Sequence, residues 1–157
     1  MEDNYRKNII DFSLIYLNVE FNINSNDFTK EEFTWYIFKE LFNIDINSGY
    51  GLDNSTKHMT NNIGDLKIYN ETDTKKRDYL KDIKPGDLIF FHTKNPDHNL
   101  PSLNNYYPGH TGIYLGNNNF IHASDIQNKI IIEPLSEEWL KKLVASRDII
   151  TQIIKAI

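Results

Sequence analysis

The chain has 157 residues, 39% of them hydrophobic and 13% aromatic, with a formal charge of −5 at pH 7. That suffices for one packed core and is too little for two comfortable domains. The acidic balance disfavours a nucleic-acid partner, which calls for a basic face, and the lack of any cysteine excludes disulfides and thiolate metal sites. The apolar runs are short and interrupted by Lys, Glu or Asn, so none reaches the length of a membrane span. The start, Met1-Glu2-Asp3-Asn4-Tyr5-Arg6-Lys7, is polar and leads into no signal-peptide core, which makes a cytoplasmic chain the default expectation.

Residues near 5–19 carry Ile9, Ile10, Phe12, Leu14, Ile15 and Leu17, with Asp11 and Ser13 between them. This pattern predicts a helix with one broad apolar face. Val19 to Ser25 reads as a short extended link. Thr29-Lys30-Glu31-Glu32-Phe33 has the form of a capping box, with Thr29 as N-cap and Glu32 as the third helical residue. The helix it opens is predicted to run to about Phe42, with Phe33, Ile37 and Leu41 inward and Lys39 and Glu40 outward. From Asn47 to about Asp82 the composition turns to Asn, Thr, Lys, Gly and Asp without a clear period. The expectation there is a long surface excursion with one short helix around Asp78–Lys81.

Lys84-Pro85-Gly86-Asp87 is a turn, and Leu88 to His92 is a strand of the buried type. Thr93 to Tyr107, with Pro96 and Pro101, is a second polar loop. His110–Leu115, Gly116–Asn119 and Phe120–Ala123 read as a strand, a tight turn and a returning strand. Ile130 to Ile132 continues the meander, and Pro134-Leu135-Ser136 starts a short helix through Leu143. Asp148 to Ile154 reads as a closing strand. Helices followed by an antiparallel meander define an α+β class. The hairpin carries the candidate chemistry. His110 and His122 stand twelve residues apart, one on each strand, so a tight turn brings their imidazoles together. A strand histidine taken alone is more often a packed, hydrogen-bonded residue than a catalyst. On that basis His58, His92 and His98 read as ordinary residues, and Trp35 and Trp139 as core aromatics.

Several of these segments resemble the NlpC/P60 family of papain-like cysteine peptidases, which cut peptide crosslinks in bacterial cell walls. They are Ile9-Ile10-Asp11-Phe12 through Val19-Glu20-Phe21, Phe33 to Leu41, Lys84 to Phe91, Gly109 to Gly116, Phe120 to Ser124, Ser136 to Leu140, and Ser146-Arg147. The resemblance implies N-terminal helices packed on a central antiparallel sheet. It implies one domain over residues 1–157, with insertions at about 48–78 and 94–107. It also implies His110 as the catalytic base and His122 as the group that orients it.

The departure lies at the nucleophile. The family carries Asp-Cys-Ser-Gly at the start of its second helix, and an ungapped alignment puts Thr29-Lys30-Glu31-Glu32 there. Lys30 then occupies the nucleophile position. Thr29 and Glu31 stand where an Asp and a Ser hold the substrate's free amine, and Phe21 replaces the tyrosine before the nucleophile loop. A peptidase of this kind needs a thiolate, made by the positive end of a helix and a neighbouring imidazole. An ammonium there opposes the dipole at a cost of roughly 0.3–1 kcal/mol, which Glu31 and Glu32 offset. Thr29 as N-cap contributes about 1 kcal/mol. The segment therefore reads as an ordinary capped helix start. The expectation is a pseudoenzyme that binds a cell-wall peptide or a protein partner, with no cofactor. The alternative is an active hydrolase of a cell-wall peptide or amide bond, using Thr29, Lys30 or a metal ion in place of the thiol. No spacing among the histidines fixes a metal site.

Overall fold

The fold is that of a computed structural model; it describes residues 1–20, 33–44, 65–69, 78, 80–93, 107–124 and 126–156. Helix α1 (Glu2–Ile15) opens on Glu2 and Asp3, acids that suit the positive end of a helix dipole. Its buried stripe is narrower than the predicted apolar face. Arg6, Ile9 and Ser13 are buried, whereas Leu14 and Ile15 are exposed. Residues three and four apart share the side that meets the sheet, and the intervening apolar residues fall around the cylinder. The buried Ser13 hydroxyl donates to the Ile9 carbonyl at 2.6 Å, within its own helix. Helix α2 (Phe33–Phe42) buries Phe33 and Ile37 as expected, and Phe38 joins them; Leu41 is half-buried. The capping segment predicted to open it, Thr29 to Glu32, lies outside the described residues.

Among the described residues, six strands form one sheet: β1 (Asp65–Ile68), β2 (Leu88–Thr93), β3 (Tyr107–Gly116), β4 (Asn119–Ser124), β5 (Lys129–Pro134) and β6 (Leu143–Asp148). Their order is β1-β6-β2-β3-β4-β5, with every neighbour antiparallel. The fold class is thus the expected α+β, with a meander from β2 to β5. Strand β1 sits inside the stretch read as an irregular excursion. Its four residues are too few to raise a period against polar surroundings.

The larger correction is at the C-terminal end. The chain from Leu143 to Asp148 is the strand, following the short helix α3 (Glu137–Lys142), and Ile150–Ala156 is a helix, α4. The isoleucines there suggest a strand by propensity, but Asp148 acts as a cap. Its carboxylate accepts from the Thr151 N–H at 3.0 Å and from the Thr151 hydroxyl at 2.7 Å.

Alternation along the strands separates two apolar clusters. On one face Leu88, Phe90, Ile113, Ile121 and Ala123 meet Ile9 of α1 and Phe33, Ile37 and Phe38 of α2. On the other, Ile89, Phe91, Tyr114 and Phe120 meet Leu135, Leu140 and Trp139.

Arg6 fastens α1 to the sheet. Its guanidinium donates to the Pro85 carbonyl at 3.0 Å, to Asp87 at 2.8 Å and to Asp148 at 3.0 Å. Burial opposes the Arg6 charge, but the two carboxylates outweigh it and hold the guanidinium pKa above its usual range. Burial also pushes Asp87 up from the ordinary 3.8 to about 6, against the Lys84 N–H and Arg6. Asp148 is held below its ordinary value: burial raises it, and the two Thr151 donors and Arg6 outweigh that.

Candidate functional site

The β3–β4 hairpin turns on Asn117 and Asn118, both in the left-handed region (φ 51° and 65°), as a two-residue turn between Gly116 and Asn119 requires. That turn sets the register in which Gly112 lies opposite His122. Gly112 has no side chain, and the space is used: a Cβ there would lie 2.9 Å from the Phe120 ring and 3.4 Å from the His122 Cβ. His110 and His122 consequently meet, with His110 Nε2 2.7 Å from His122 Nδ1 and the rings near perpendicular at 85°.

The chain of contacts continues into β5. His122 Nε2 lies 2.6 Å from a Glu133 carboxylate oxygen. In the β4–β5 ladder Glu133 stands opposite Phe120 and Ile131 opposite His122, so Glu133 is the diagonal neighbour of His122 on the same face. His122 is only 2% exposed. A buried imidazole with a partner on each nitrogen is held rigidly.

Trp139 on α3 forms the roof. It lies over His110 at 5.8 Å with planes 27° apart and meets His122 edge-on at 5.3 Å. Phe91 and Phe120 abut it at 4.8 Å and 5.2 Å. Ser136 caps α3 by accepting from the Trp139 N–H, and the Lys142 ammonium sits 5.2 Å from the indole centroid. A cavity of about 620 Å³ opens beside this group, bordered by His110, His122, Glu133, Trp139, His92 and Ile126 among others. Phe91 and His92 both border it although regular alternation would send them to opposite faces; the β2–β3 ladder shifts register between Phe91 and Thr93.

The structure brings together two of the residues singled out from sequence, His110 and His122. Phe21, Thr29, Lys30 and Glu31 lie outside the described residues, as do His58 and His98. Glu133, His92 and the roofing role of Trp139 were not anticipated. Glu133 was accessible in principle: pairing Ile130–Ile132 with the His122 strand across a short turn puts position 133 on the histidine face. Among the described residues, no group of three or more His, Asp and Glu is arranged to hold a metal ion. Nor is any helix there long and apolar enough to cross a membrane.

Helices on an antiparallel sheet, with paired histidines on adjacent strands beside an open cavity, define an α+β protein with a histidine-lined site. The comparisons with known proteins make this specific. The sequence profile of the NlpC/P60 family matches residues 25–148. An NlpC/P60 family protein from Bacillus cereus is 19% identical, with a TM-score of 0.61 over 92% of this chain and 40% of that one. The NlpC/p60 domain of the peptidoglycan hydrolase SagA is 18% identical, with a TM-score of 0.58 over 91% of this chain and 97% of that one. A Staphylococcus aureus protein of the NLP/P60 family, described as similar to lipoprotein, is 20% identical, with a TM-score of 0.61 over 95% of this chain and 42% of that one. The chain therefore spans about 40% of the length of the Bacillus cereus and Staphylococcus aureus proteins. No curated protein matches it significantly in sequence. The chain belongs to the NlpC/P60 family.

Proposed function

We propose that this chain is an NlpC/P60 domain that binds its ligand without cutting it. The observation that carries the reading is the combination of a histidine-lined cavity of about 620 Å³ with a sequence that contains no cysteine. A papain-like peptidase attacks with a thiolate, and an imidazole pair without a thiol has nothing to activate. In the ungapped alignment Lys30 stands at the nucleophile position, with Thr29, Glu31 and Phe21 on the substrate-reading side. We take the chain as one domain with insertions at about 48–78 and 94–107. The ligand is a cell-wall peptide or a protein partner; the peptidoglycan hydrolase SagA, whose domain shares this fold, supports the first.

Purified protein incubated with muropeptides is expected to bind them in a titration calorimeter and to leave them intact by mass spectrometry. Turnover that disappears in His110→Ala would overturn the reading. It would establish the competing one, a hydrolase with a hydroxyl, amine or metal ion in the thiol's place. The intact Glu133–His122–His110 chain is what favours that competitor.

A further inference from the structure

Strand β5 is the last strand on its side of the sheet, and its outer edge already serves as a pairing surface. Leaving α1, the chain runs along that edge antiparallel, with Glu20 bridged to Lys129. The Asn18 N–H donates to the Ile130 carbonyl at 2.8 Å, and the Ile130 N–H donates to the Val19 carbonyl at 3.0 Å. Ile130 therefore turns its backbone groups away from β4. Two residues on, Ile132 turns its own N–H and carbonyl the same way, and nothing among the described residues pairs with them. The open stretch is short. Residues 18–20 cover one end of it, and Pro134, which has no N–H, closes the other. Sheet growth by a second copy needs a longer ladder. One donor and one acceptor suit a single extended segment held mainly by its side chains.

Room for those side chains lies beside the gap. A depression of about 330 Å³ is bordered by Leu17, Lys129, Ile131, Ile132, Gln127 and Glu133. Leu17 and Ile132 are large aliphatic residues left 37% and 39% exposed. Gln127 and Glu133 also border the histidine cavity, so depression and cavity adjoin across them. Ile126, 93% exposed, stands at the cavity's border on a turn in which the Ser124 hydroxyl accepts from the Gln127 N–H at 3.1 Å. The borders carry both signs of charge, Lys129 and Glu133 on the depression and Glu138 and Lys142 on the cavity, which complements a chain of little net charge. Given the binding function proposed above, we infer that the ligand is an extended segment of a partner protein. It pairs with the Ile132 backbone, lays an aliphatic side chain against Leu17 and Ile132, and continues past Gln127 and Glu133 into the histidine cavity. Such pairing calls for α-linked residues of one hand, with amides and side chains alternating along the strand. Of the two ligand classes named above, a protein segment supplies that.

Random decapeptides displayed on phage and selected on the whole chain provide the probe. The selected sequences are expected to share an aliphatic residue. A synthetic copy titrated into nitrogen-15-labelled protein should move the Ile132 amide resonance and slow its exchange with solvent. Leu17→Glu, at a half-exposed position, should weaken the peptide about tenfold while leaving the amide resonances of β2 to β4 in place. Methylating the peptide's backbone nitrogens one at a time should reveal a position with a similar loss, with no change to the protein. A selection that yields no peptide, binding that leaves the Ile132 amide untouched, or equal binding to Leu17→Glu would each overturn the proposal. So would a muropeptide that protects the Ile132 amide where no displayed peptide does. The two readings fail separately. Muropeptides held intact without engaging Ile132 would remove this partner and keep the binding function; a peptide that pairs with Ile132 and is then cut would do the reverse.

Discussion

At the scale of single residues, the site depends on an atom that is missing. Gly112 lies opposite His122, and the Phe120 ring fills the space a side chain would take. Phe120 is fully buried, with Phe91 and Trp139 against its ring. Gly112→Ala is therefore expected to cost about 1–3 kcal/mol of stability, as overpacking does. It should also push His122 away from Glu133. Urea denaturation reads the first effect and the imidazole nitrogen shifts the second; wild-type values in both would contradict the packing argument. The histidine pair was legible in the sequence because a tight turn fixes its spacing locally. Glu133 was not, because its approach to His122 depends on the register between β4 and β5. Trp139 reads as a core aromatic from its chemistry alone, and only the placement of α3 makes it a pocket wall.

At the scale of elements, the same contrast between local and distant causes holds. The turn at Lys84–Asp87 and the β3–β4 hairpin were legible because Pro85 and Gly86, and Asn117 and Asn118, encode their own backbone geometry; Gly86 sits at φ 95°. Helix α4 was misread as a strand because its isoleucines favour β structure, while the cap that starts it comes from the end of β6. Among the described residues, strand β1 pairs with β6 alone. The hairpin turn itself can be improved. Asn118 holds a left-handed conformation, and its side-chain oxygen is buried without a hydrogen-bond partner among the described residues. Its backbone N–H donates to the Tyr114 hydroxyl and its carbonyl accepts from Leu135, contacts that any residue keeps. Asn118→Gly supplies the preferred second residue of this turn and removes the unsatisfied oxygen, so a gain of about 1 kcal/mol is expected. Asn118→Val, branched at Cβ, should lose about 1–3 kcal/mol. Thermal melts of the two variants ranking in the opposite order would refute the assignment of the turn.

At the scale of the whole molecule, Arg6 joins the first helix to the turn before β2 and to the end of β6, residues separated by most of the chain. The two acids that hold it respond oppositely to pH. Asp87 binds its proton up to about 6 in the folded state but only to the ordinary 3.8 when unfolded. Between those values the folded state carries more protons than the unfolded one, so this group makes stability fall as pH rises from about 4 to about 6. The size of that fall is on the order of 3 kcal/mol. Asp148 contributes in the other sense. Its folded pKa lies below the ordinary value, so its stabilisation is complete above the ordinary carboxylate range and is lost as pH drops through the folded value. Asp87→Asn keeps one oxygen, for Arg6, loses the second acceptor that the Lys84 N–H uses, and has no proton to exchange. Urea denaturation at a series of pH values should show wild-type stability declining from about pH 4 to about pH 6 relative to Asp87→Asn, with both chains sharing the acid limb below that window. Parallel curves through the window would mean that burial does not govern the Asp87 carboxyl and that Arg6 holds it fully ionised.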